Sequence, residues 1–428
     1  MMKFESAHNS VQAAKDLDNQ DELYKMRNDF HFPLTESGDK ALYFTGHSLG
    51  LMPKKAQDYI EEELNAWKAF GVEGHFKGKH PWLPYHEFLT EQMAEIVGGK
   101  TSEVVVMNSL TVNLHLMLVS FYRPTQKRFK ILIENTTFPS DKYAVDSQAR
   151  YHGFDPKEAI VQLRPSDGKM TLSDDELVEQ IRSHGDSLAL VMLGNCNYLS
   201  GQCFNFEKVV QAAKEVGAMV GFNLAHGAGN IILDLHKVEA DFAVWCTYKY
   251  LNSGPGGLAG AFVHEKHLKD RNIPRFEGWW GTKKETRFKM KPDFEPMDTV
   301  ESWQLSNPPI FQLAAIRASL DLYSKAGFKN LRAKGDNLTG YLEWLLKTNC
   351  GEKIEIVTPA FEEGKQTRGS MLCVRVKDDA QAVEDKLKEH DVIVDFREPD
   401  IIRMAPIPLY NSFEDVYDLV NIIREALK

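Results

Sequence analysis

The sequence has little of what marks a membrane, secreted or nucleic-acid-binding protein. It contains no apolar run of about 18 residues, the length that spans a bilayer. Its opening stretch, "MMKFESAHNSVQAAKDLDNQ", has no apolar core of signal-peptide length. No five Lys or Arg residues occur in succession, and the formal net charge is -10. We therefore expect a cytoplasmic protein without membrane or nucleic-acid partners.

Cysteine is also scarce. The five residues are odd in number and form no CxxC pair that would indicate zinc or a redox dithiol. The spacing of His75 and His80 matches no zinc motif either. We expect no metal site, and we expect reduced thiols at all five cysteine positions: Cys196, Cys203, Cys246, Cys350 and Cys373.

What is present is the composition of an ordinary folded protein, with 43% hydrophobic and 26% charged residues among 428. That length suggests about two or three domains. We predict an N-terminal segment over 1–60, a large domain over 61–310 and a smaller α/β domain over 311–428. The last begins where long helical patterns and short strands replace the regular alternation upstream.

The middle of the chain alternates strands and helices. "SLALVML" reads as a buried strand, "FEKVVQAAKEV" as an amphipathic helix ending before Gly217, and "AMVGF" and "DFAVWCTY" as further strands. Such βαβ units form mainly parallel sheets, whose ligands bind at the carboxyl ends of the strands. Asn223, His226 and Lys249 all fall at such ends. Upstream, Thr111 lies near the start of a helix, where free N–H groups attract anions.

Lys249 is the first candidate for covalent chemistry, because it follows an apolar strand and precedes a turn containing Gly254 and Gly256. Desolvation lowers the pKa of such an amine and makes it a Schiff-base nucleophile. Taken alone, Lys249 is better explained as a surface lysine. Three other residues make a covalent role for Lys249 the better explanation. An enzyme of fold-type I that uses pyridoxal 5'-phosphate (PLP) needs groups for the phosphate, the ring face and the ring nitrogen, and Thr111, Phe138 and residue 223 supply them in the expected order.

Nine stretches in order make the chain similar to the kynureninase family over nearly its whole length. They are "YFTGHSLGLMPK", "GHFKGKHPW", "LTVNLHLML", "FPSDKYA", "FNLAHGAGN", "CTYKYLNSGPGGLAGAF", "GWWG", "SNPPI" and "IIRMAPIPLYNSFEDV". The resemblance implies an α/β fold of the fold-type I PLP-dependent kind, with a mainly parallel seven-stranded sheet in the large domain. It also implies a homodimer.

The resemblance further implies how the chain holds PLP. Lys249 resembles the lysine that forms the Schiff base, with Tyr248 beside it as a candidate proton relay. Trp279 and Asn307 resemble phosphate ligands supplied across a dimer interface. The full set resembling cofactor-binding residues is Leu110, Thr111, Phe138, Asp141, Asn223, His226, Tyr248, Lys249, Trp279 and Asn307.

Substrate residues follow from the same resemblance. Arg403 resembles the clamp for the substrate α-carboxylate, where a planar guanidinium gives a two-pronged fit. Ser48, His75, Trp280 and Asn307 resemble the lining around the substrate's aromatic ring. Each has a simpler explanation in isolation, because Trp279 and Phe138 are also typical core aromatics and Arg403 could pair with a surface acid.

The implied reaction is hydrolysis of L-kynurenine, or its 3-hydroxy form, to anthranilate or 3-hydroxyanthranilate and L-alanine, a step of tryptophan catabolism toward NAD. Two positions depart from the family pattern. Asn223 stands where the family has Asp, and His47 where it usually has Asn. Because a neutral amide holds a pyridine nitrogen protonated less well, we expect PLP binding with reduced turnover. An engineered change, compensation by Asp141 and a weakened relative all fit the sequence.

Two other interpretations stay open at this stage. A different fold-type I enzyme, such as a cysteine desulfurase or an aminotransferase, would share the sheet and the lysine. A weakly active or non-catalytic PLP-binding protein would account for Asn223. The aromatic stretches "GHFKGKHPW" and "GWWG" favour the kynureninase interpretation over both.

Overall fold

In the computed structural model, which describes residues 2–166 and 168–428, helices and strands alternate through the middle of the chain. The strands are β1 (Leu42–Tyr43), β2 (Val104–Met107), β3 (Lys130–Glu134), β4 (Ile160–Leu163), β5 (Leu188–Gly194), β6 (Met219–Asn223), β7 (Phe242–Cys246), β8 (Ala259–Val263), β9 (Ile354–Ile356), β10 (Leu372–Val376), β11 (Val392–Ile393), β12 (Asp395–Arg397) and β13 (Ile401–Met404).

The helices range from single turns to six turns. They are α1 (Val11–Gln20), α2 (Lys55–Phe70), α3 (Thr90–Val97), α4 (Leu110–Phe121), α5 (Pro139–Tyr151), α6 (Pro156–Ala159), α7 (Asp174–Ser183), α8 (Phe206–Val216), α9 (Leu235–Val238), α10 (Glu265–Leu268), α11 (Ile310–Ala326), α12 (Phe328–Cys350), α13 (Ala380–Glu389) and α14 (Phe413–Ala426).

A seven-stranded sheet forms the centre of the large part of the molecule, with the order β2-β8-β7-β6-β5-β3-β4. The pairs β7–β6, β6–β5, β5–β3 and β3–β4 are parallel. Strand β8 is antiparallel to both of its neighbours, so the other six strands point the same way. The mainly parallel α/β sheet expected from the sequence is therefore confirmed, and six strands deliver their carboxyl ends to one edge.

Local sequence explains the elements beside this edge. Strand β5 is buried over nearly its whole length, as a strand covered on both faces should be. Helix α8 begins at the N-cap Asn205, whose side chain accepts a hydrogen bond from the Lys208 backbone, and ends at Gly217 in the left-handed conformation. Its buried face carries Val209 and Val210 against the sheet. After this helix the chain enters β6, which ends at Asn223.

A second, four-stranded antiparallel sheet lies in the C-terminal part, in the order β12-β13-β10-β9. Residues from the start of the chain, including Leu17 and Phe44, pack in the same apolar core as α12, α13 and α14. Strand β1 pairs in parallel with β11. The N-terminal segment as a part of the small domain, and the boundaries at 60 and 310, stay predictions.

Over the described part of the chain, helices of bilayer-spanning length and apolarity do not occur.

Candidate active site

A cavity of about 360 Å³ opens at the carboxyl edge of the large sheet. It brings together residues from six separate stretches of the chain that the sequence singled out. Those lining it are Ser48, Leu110, Thr111, Phe138, Asp141, Asn223, His226, Tyr248, Lys249 and Arg403. Ten of the predicted site residues are thus close together, although Ser48 and Arg403 lie at distant positions in the sequence.

Lys249 follows β7 by three residues, in the loop that precedes the glycine-rich turn. Gly254 and Gly256 in this turn have φ values of +89° and +65°, which only glycine adopts without strain. The Lys249 Nζ lies 3.2 Å from Nε2 of His226. Burial lowers the pKa of the Lys249 amine. A larger fraction of this amine is therefore neutral and nucleophilic than in an exposed lysine.

Asn223 and Asp141 form a hydrogen-bonded pair on the cavity wall. Nδ2 of Asn223 donates to Oδ2 of Asp141 over 2.6 Å, and Oδ1 of Asn223 accepts from the Ala225 backbone over 2.9 Å. Burial raises the pKa of Asp141 to about 6, against the opposing effects of the Asn223 hydrogen bond and Lys249. The pair offers a carboxyl group whose protonation changes near neutral pH.

Helix α4 points its N-terminus at the cavity, because Ser109, Leu110 and Thr111 all line it. Asn108 makes the turn between β2 and α4 with a φ of +49°, a conformation that asparagine tolerates better than most residues. The hydroxyls of Thr111 and Ser140 lie 3.0 Å apart. Unpaired helix N–H groups together with two hydroxyls suit an anion such as a phosphate.

Arg403 forms a wall of the cavity from strand β13, with its charge held in place by Asp395. Its Nε and Nη2 contact the two carboxylate oxygens at 3.0 and 2.8 Å, and its Nη1 donates to the Tyr198 carbonyl over 2.7 Å. Arg397 contacts the same carboxylate over 2.8 Å. Burial raises the pKa of Asp395, but the Arg403 hydrogen bonds and charge outweigh this and leave it lowered. Two guanidinium groups share one carboxylate, so this wall is net positive.

The cavity also has residues that the sequence analysis did not single out. Glu134, at the end of β3, accepts hydrogen bonds from the Gly194 backbone over 2.6 Å and from the Asn197 side chain. Burial raises the pKa of Glu134 to about 7, although these hydrogen bonds oppose the rise. The position of this acid at the end of the apolar run "ILIE" could have indicated a place at the edge of the sheet. For Arg397 and Tyr198 no pattern in the sequence indicated a place in the site.

Four predicted site residues lie outside this cavity. His75 is only partly buried, and its Nδ1 is 2.9 Å from the Val72 carbonyl. Trp279 is 41% exposed, and Asn307 is exposed. Trp280 is buried in its own chain, where the Arg287 guanidinium lies 4.3 Å from its ring centre. Within one chain these residues do not meet the other ten, and their roles stay predictions.

The cysteine expectation was wrong for two of the five residues. Cys196 and Cys203 form a disulfide, whereas Cys246, Cys350 and Cys373 are free and buried. An isolated antiparallel bridge between positions 196 and 203 brings their Cα atoms to 4.0 Å, and thus the two thiols together. A spacing of seven residues in a loop does not reveal such a bridge. Cys196 also lines the cavity.

Comparison with known proteins decides the family. Residues 331–423 match the model of the kynureninase C-terminal domain. The chain is 54% identical to the kynureninase of Myxococcus xanthus over 96% of both chains. It is 50% identical to that of Koribacter versatilis over 95% of both. The chain belongs to the kynureninase family.

Solved structures of more distant proteins show the fold of this kynureninase-family chain. The cystine C-S lyase C-DES, in complex with its product cysteine persulfide, superposes with a TM-score of 0.75 at 17% identity, covering 90% of this chain and 97% of that one. A C-DES variant with glycine covalently linked to its PLP cofactor gives a TM-score of 0.73 at 16% identity, over 90% and 96% of the two chains. The predicted fold-type I architecture is confirmed.

The donor set of the cavity fits PLP. The helix N-terminus suits the phosphate, the Lys249 amine suits the aldehyde, and the Asp141–Asn223 pair suits a ring nitrogen. His226 is buried, and its Nδ1 has no hydrogen-bond partner among the described residues. A buried polar atom left unpaired at a cavity wall is satisfied when a polar group binds there.

Proposed function

We propose that this chain is a PLP-dependent hydrolase that cleaves L-kynurenine with one water molecule into anthranilate and L-alanine. The bond broken is that between Cβ and Cγ of the substrate. The observation that carries the proposal is the Lys249 amine facing a cavity lined by ten of the expected residues, in a chain of this family. When bound, PLP supplies the electron-accepting ring that makes cleavage of such a carbon skeleton accessible.

Lys249 would hold the cofactor and would also move protons. Its lowered pKa allows Nζ to take a proton from the substrate Cα and to return one later. Burial raises the pKa of the neighbouring Tyr248, so its hydroxyl stays protonated at neutral pH. We propose Tyr248 as the proton relay next to Lys249, because an uncharged hydroxyl both donates and accepts.

Other residues orient the two molecules. The N-terminus of α4, with Leu110 and Thr111, would bind the phosphate, and Phe138 would cover one face of the ring. Arg403 would bind the substrate α-carboxylate. Its contacts with Asp395 leave the guanidinium fixed, which reduces the entropy lost on binding. His226 would donate or accept at the cofactor through its unpaired Nδ1.

Asn223 is expected to slow turnover without preventing PLP binding. Its amide places no negative charge at the ring nitrogen, so the protonated pyridine is stabilised less than by a carboxylate there. Asp141, 2.6 Å from the amide, is the nearby acid that supplies part of this function. The proposed activity is therefore retained at a reduced rate.

We also propose a homodimer with shared active sites. Trp279 and Asn307, expected as phosphate ligands, are exposed on this chain and lie outside its own cavity. The surface around Trp279 carries two other exposed apolar side chains, Phe288 and Met290. Apolar patches of this kind support protein–protein contact. A second copy of the chain would cover them and bring Trp279 and Asn307 to its partner's cavity.

Preference between L-kynurenine and its 3-hydroxy form depends on the residues around the aromatic ring. Ser48 lines the cavity and offers a hydroxyl, whereas His75, Trp280 and Asn307 remain proposed lining residues. Both compounds are therefore proposed substrates. A cytoplasmic location also stays a prediction, which fractionation of the producing cells would measure.

Absorbance and fluorescence test the proposal on one sample. PLP-loaded protein should show a visible absorption band that changes when L-kynurenine is added, and fluorescent anthranilate should accumulate with L-alanine in equal amounts. A stable band without product would indicate a PLP-binding protein instead. Release of sulfide from cysteine, with no anthranilate, would indicate a desulfurase.

A further inference from the structure

His47 is a fully buried histidine on the wall of the cavity, in the turn formed by residues 46–48. Thr45, the residue before this turn, forms a parallel bridge with Ala405, two residues beyond Arg403. The turn therefore lies against the strand that carries the proposed carboxylate clamp.

The backbone holds this turn tightly. The Ser48 N–H donates to the Thr45 carbonyl over 2.8 Å, and the Gly50 N–H donates to the Tyr248 carbonyl, also over 2.8 Å. A Cβ at Gly46 would lie only 2.1 Å from the Tyr410 hydroxyl, so the chain passes too close for any side chain there. The backbone that carries His47 is thus fixed beside the cavity.

Neither ring nitrogen of His47 has a hydrogen-bond partner among the described residues. Burying an unpaired polar group destabilises a folded protein, and most buried polar groups are therefore paired. Two unpaired nitrogens on one ring, at 0% exposure and beside an open cavity, indicate that a bound molecule completes the site.

The groups around His47 define the chemistry of that molecule. The charges of Arg403, Arg397 and Asp395, which lie in the C-terminal sheet, affect the pKa of His47. The charge of Lys249, in the loop after β7, also affects it. The ring centre of His226 lies 6.3 Å away. Burial, with Arg403 next in effect, lowers the pKa of His47 well below its ordinary value. The ring is therefore neutral and offers one N–H donor and one acceptor in a net positive surrounding.

We propose that His47 is a substrate-binding residue whose ring N–H donates a hydrogen bond to the α-carboxylate of the amino-acid substrate beside Arg403. This inference rests on the proposed function, because it concerns the same cavity. An anionic group is favoured there by the Arg403–Asp395–Arg397 cluster, and a second donor beside a guanidinium fixes the orientation of a carboxylate.

Replacement of the ring by an apolar side chain tests the contact in the PLP-loaded protein. Because hydrogen bonds to charged groups are the stronger ones, H47L should raise KM for L-kynurenine about tenfold to a hundredfold. Its kcat should change by less than about threefold, since the contact is made equally in the bound substrate and the transition state. H47F is a second apolar variant in case H47L does not fold. H47Q, which keeps an N–H donor, should restore KM to within about threefold of the unsubstituted value.

Two ligands separate carboxylate binding from a general effect on the cavity. The affinity for L-alanine, measured by calorimetry, should fall by the same factor as KM rises. Kynuramine, which is kynurenine without its carboxyl group, should inhibit H47L and the unsubstituted protein equally. The matched control is H264N, since His264 is buried outside the cavity and accepts a hydrogen bond from Lys266 that Asn can also accept.

An unchanged KM and alanine affinity in folded H47L or H47F would overturn the assignment of His47. An equal loss of affinity for alanine and kynuramine would also overturn it, because the effect would then not depend on the carboxylate. If the unsubstituted protein releases no anthranilate, the proposed function fails, and the alanine measurement still decides the role of His47.

Discussion

The side-chain amide of Asn223 donates a hydrogen bond to the carboxyl group of Asp141 over 2.6 Å, at the wall of the cavity that Lys249 faces. The amide oxygen is already engaged by the Ala225 backbone, so the orientation of the side chain is settled. Of the two residues, only Asp141 carries a carboxyl group. Asp141 is thus held by the residue at which the family resemblance leads us to expect an acid.

N223D should increase the rate of alanine release from L-kynurenine. A carboxylate at this position favours the protonated ring nitrogen, and each 1.4 kcal/mol gained in the transition state is about tenfold in rate. We expect kcat to rise at least about tenfold, with KM nearly unchanged. The control is N205D, an Asn-to-Asp change at the N-cap of α8, outside the cavity. Equal rates for N223D and the unsubstituted protein would remove the role given to residue 223.

Borohydride reduction should attach the cofactor irreversibly to Lys249. The neutral amine at the cavity is the expected attachment point, and peptide mass mapping of the reduced protein locates the added mass. K249A should lose the label, and its turnover should fall about 10² to 10⁴-fold, the range for loss of a positioned acid–base group. The control, K266A, removes a lysine that pairs with Asp241 away from the cavity. A label on any other lysine contradicts the proposed mechanism.

Asp141 should make the stability of the cofactor-free protein depend on pH. Its pKa is about 6 in the folded state, against 3.8 in the unfolded state. An acid whose pKa is raised on folding stabilises the folded state below pH 3.8, and this stabilisation is lost as the pH rises through about 6. The free energy of unfolding of D141N, relative to the unsubstituted protein, should therefore increase by about 2 to 3 kcal/mol between pH 4 and pH 7.5.

Chemical denaturation at several pH values measures this difference. D155N is the matched control, since Asp155 is an N-cap outside the cavity and Asn caps equally well. A D141N curve parallel to that of the unsubstituted protein would show that Asp141 is not perturbed as inferred.

Shared active sites predict that two defective variants complement each other. K249A lacks the amine of its own cavity, and W279A lacks the side chain that we expect to reach the partner's cavity. In a mixed dimer one site carries both defects and the other carries neither. Random mixing should therefore restore roughly one quarter of native activity. Activity that never exceeds that of the separate variants would show that Trp279 does not act across an interface.

Some parts of the site that the sequence predicted share a physical cause. Asn223 and Lys249 follow apolar strands, and parallel strands present their ends at one edge, so their proximity follows from the βαβ pattern. The start of α4 at Leu110 was visible as a helical pattern after a strand. The places of Phe138, Asp141 and Arg403 came from the family resemblance.

The remaining features depend on tertiary contacts that no local pattern encodes. Arg397 reaches the site only because β12 pairs with β13 and both arginines contact Asp395. The Cys196–Cys203 bridge depends on the path of a loop. The hydrogen bond between Asn223 and Asp141 joins positions 82 residues apart. Position in a strand predicts which edge a side chain reaches, but not its partner there.

The segment formed by residues 45–50 is anchored at both ends, by the bridge from Thr45 to Ala405 and by the backbone hydrogen bond from Gly50 to Tyr248. One end of this short stretch is fastened to the C-terminal sheet and the other to the loop that carries Lys249. A rotation of the C-terminal part relative to the large sheet would pull directly on the residue preceding the lysine. The position of the C-terminal sheet and that of the Lys249 loop are therefore coupled through these six residues.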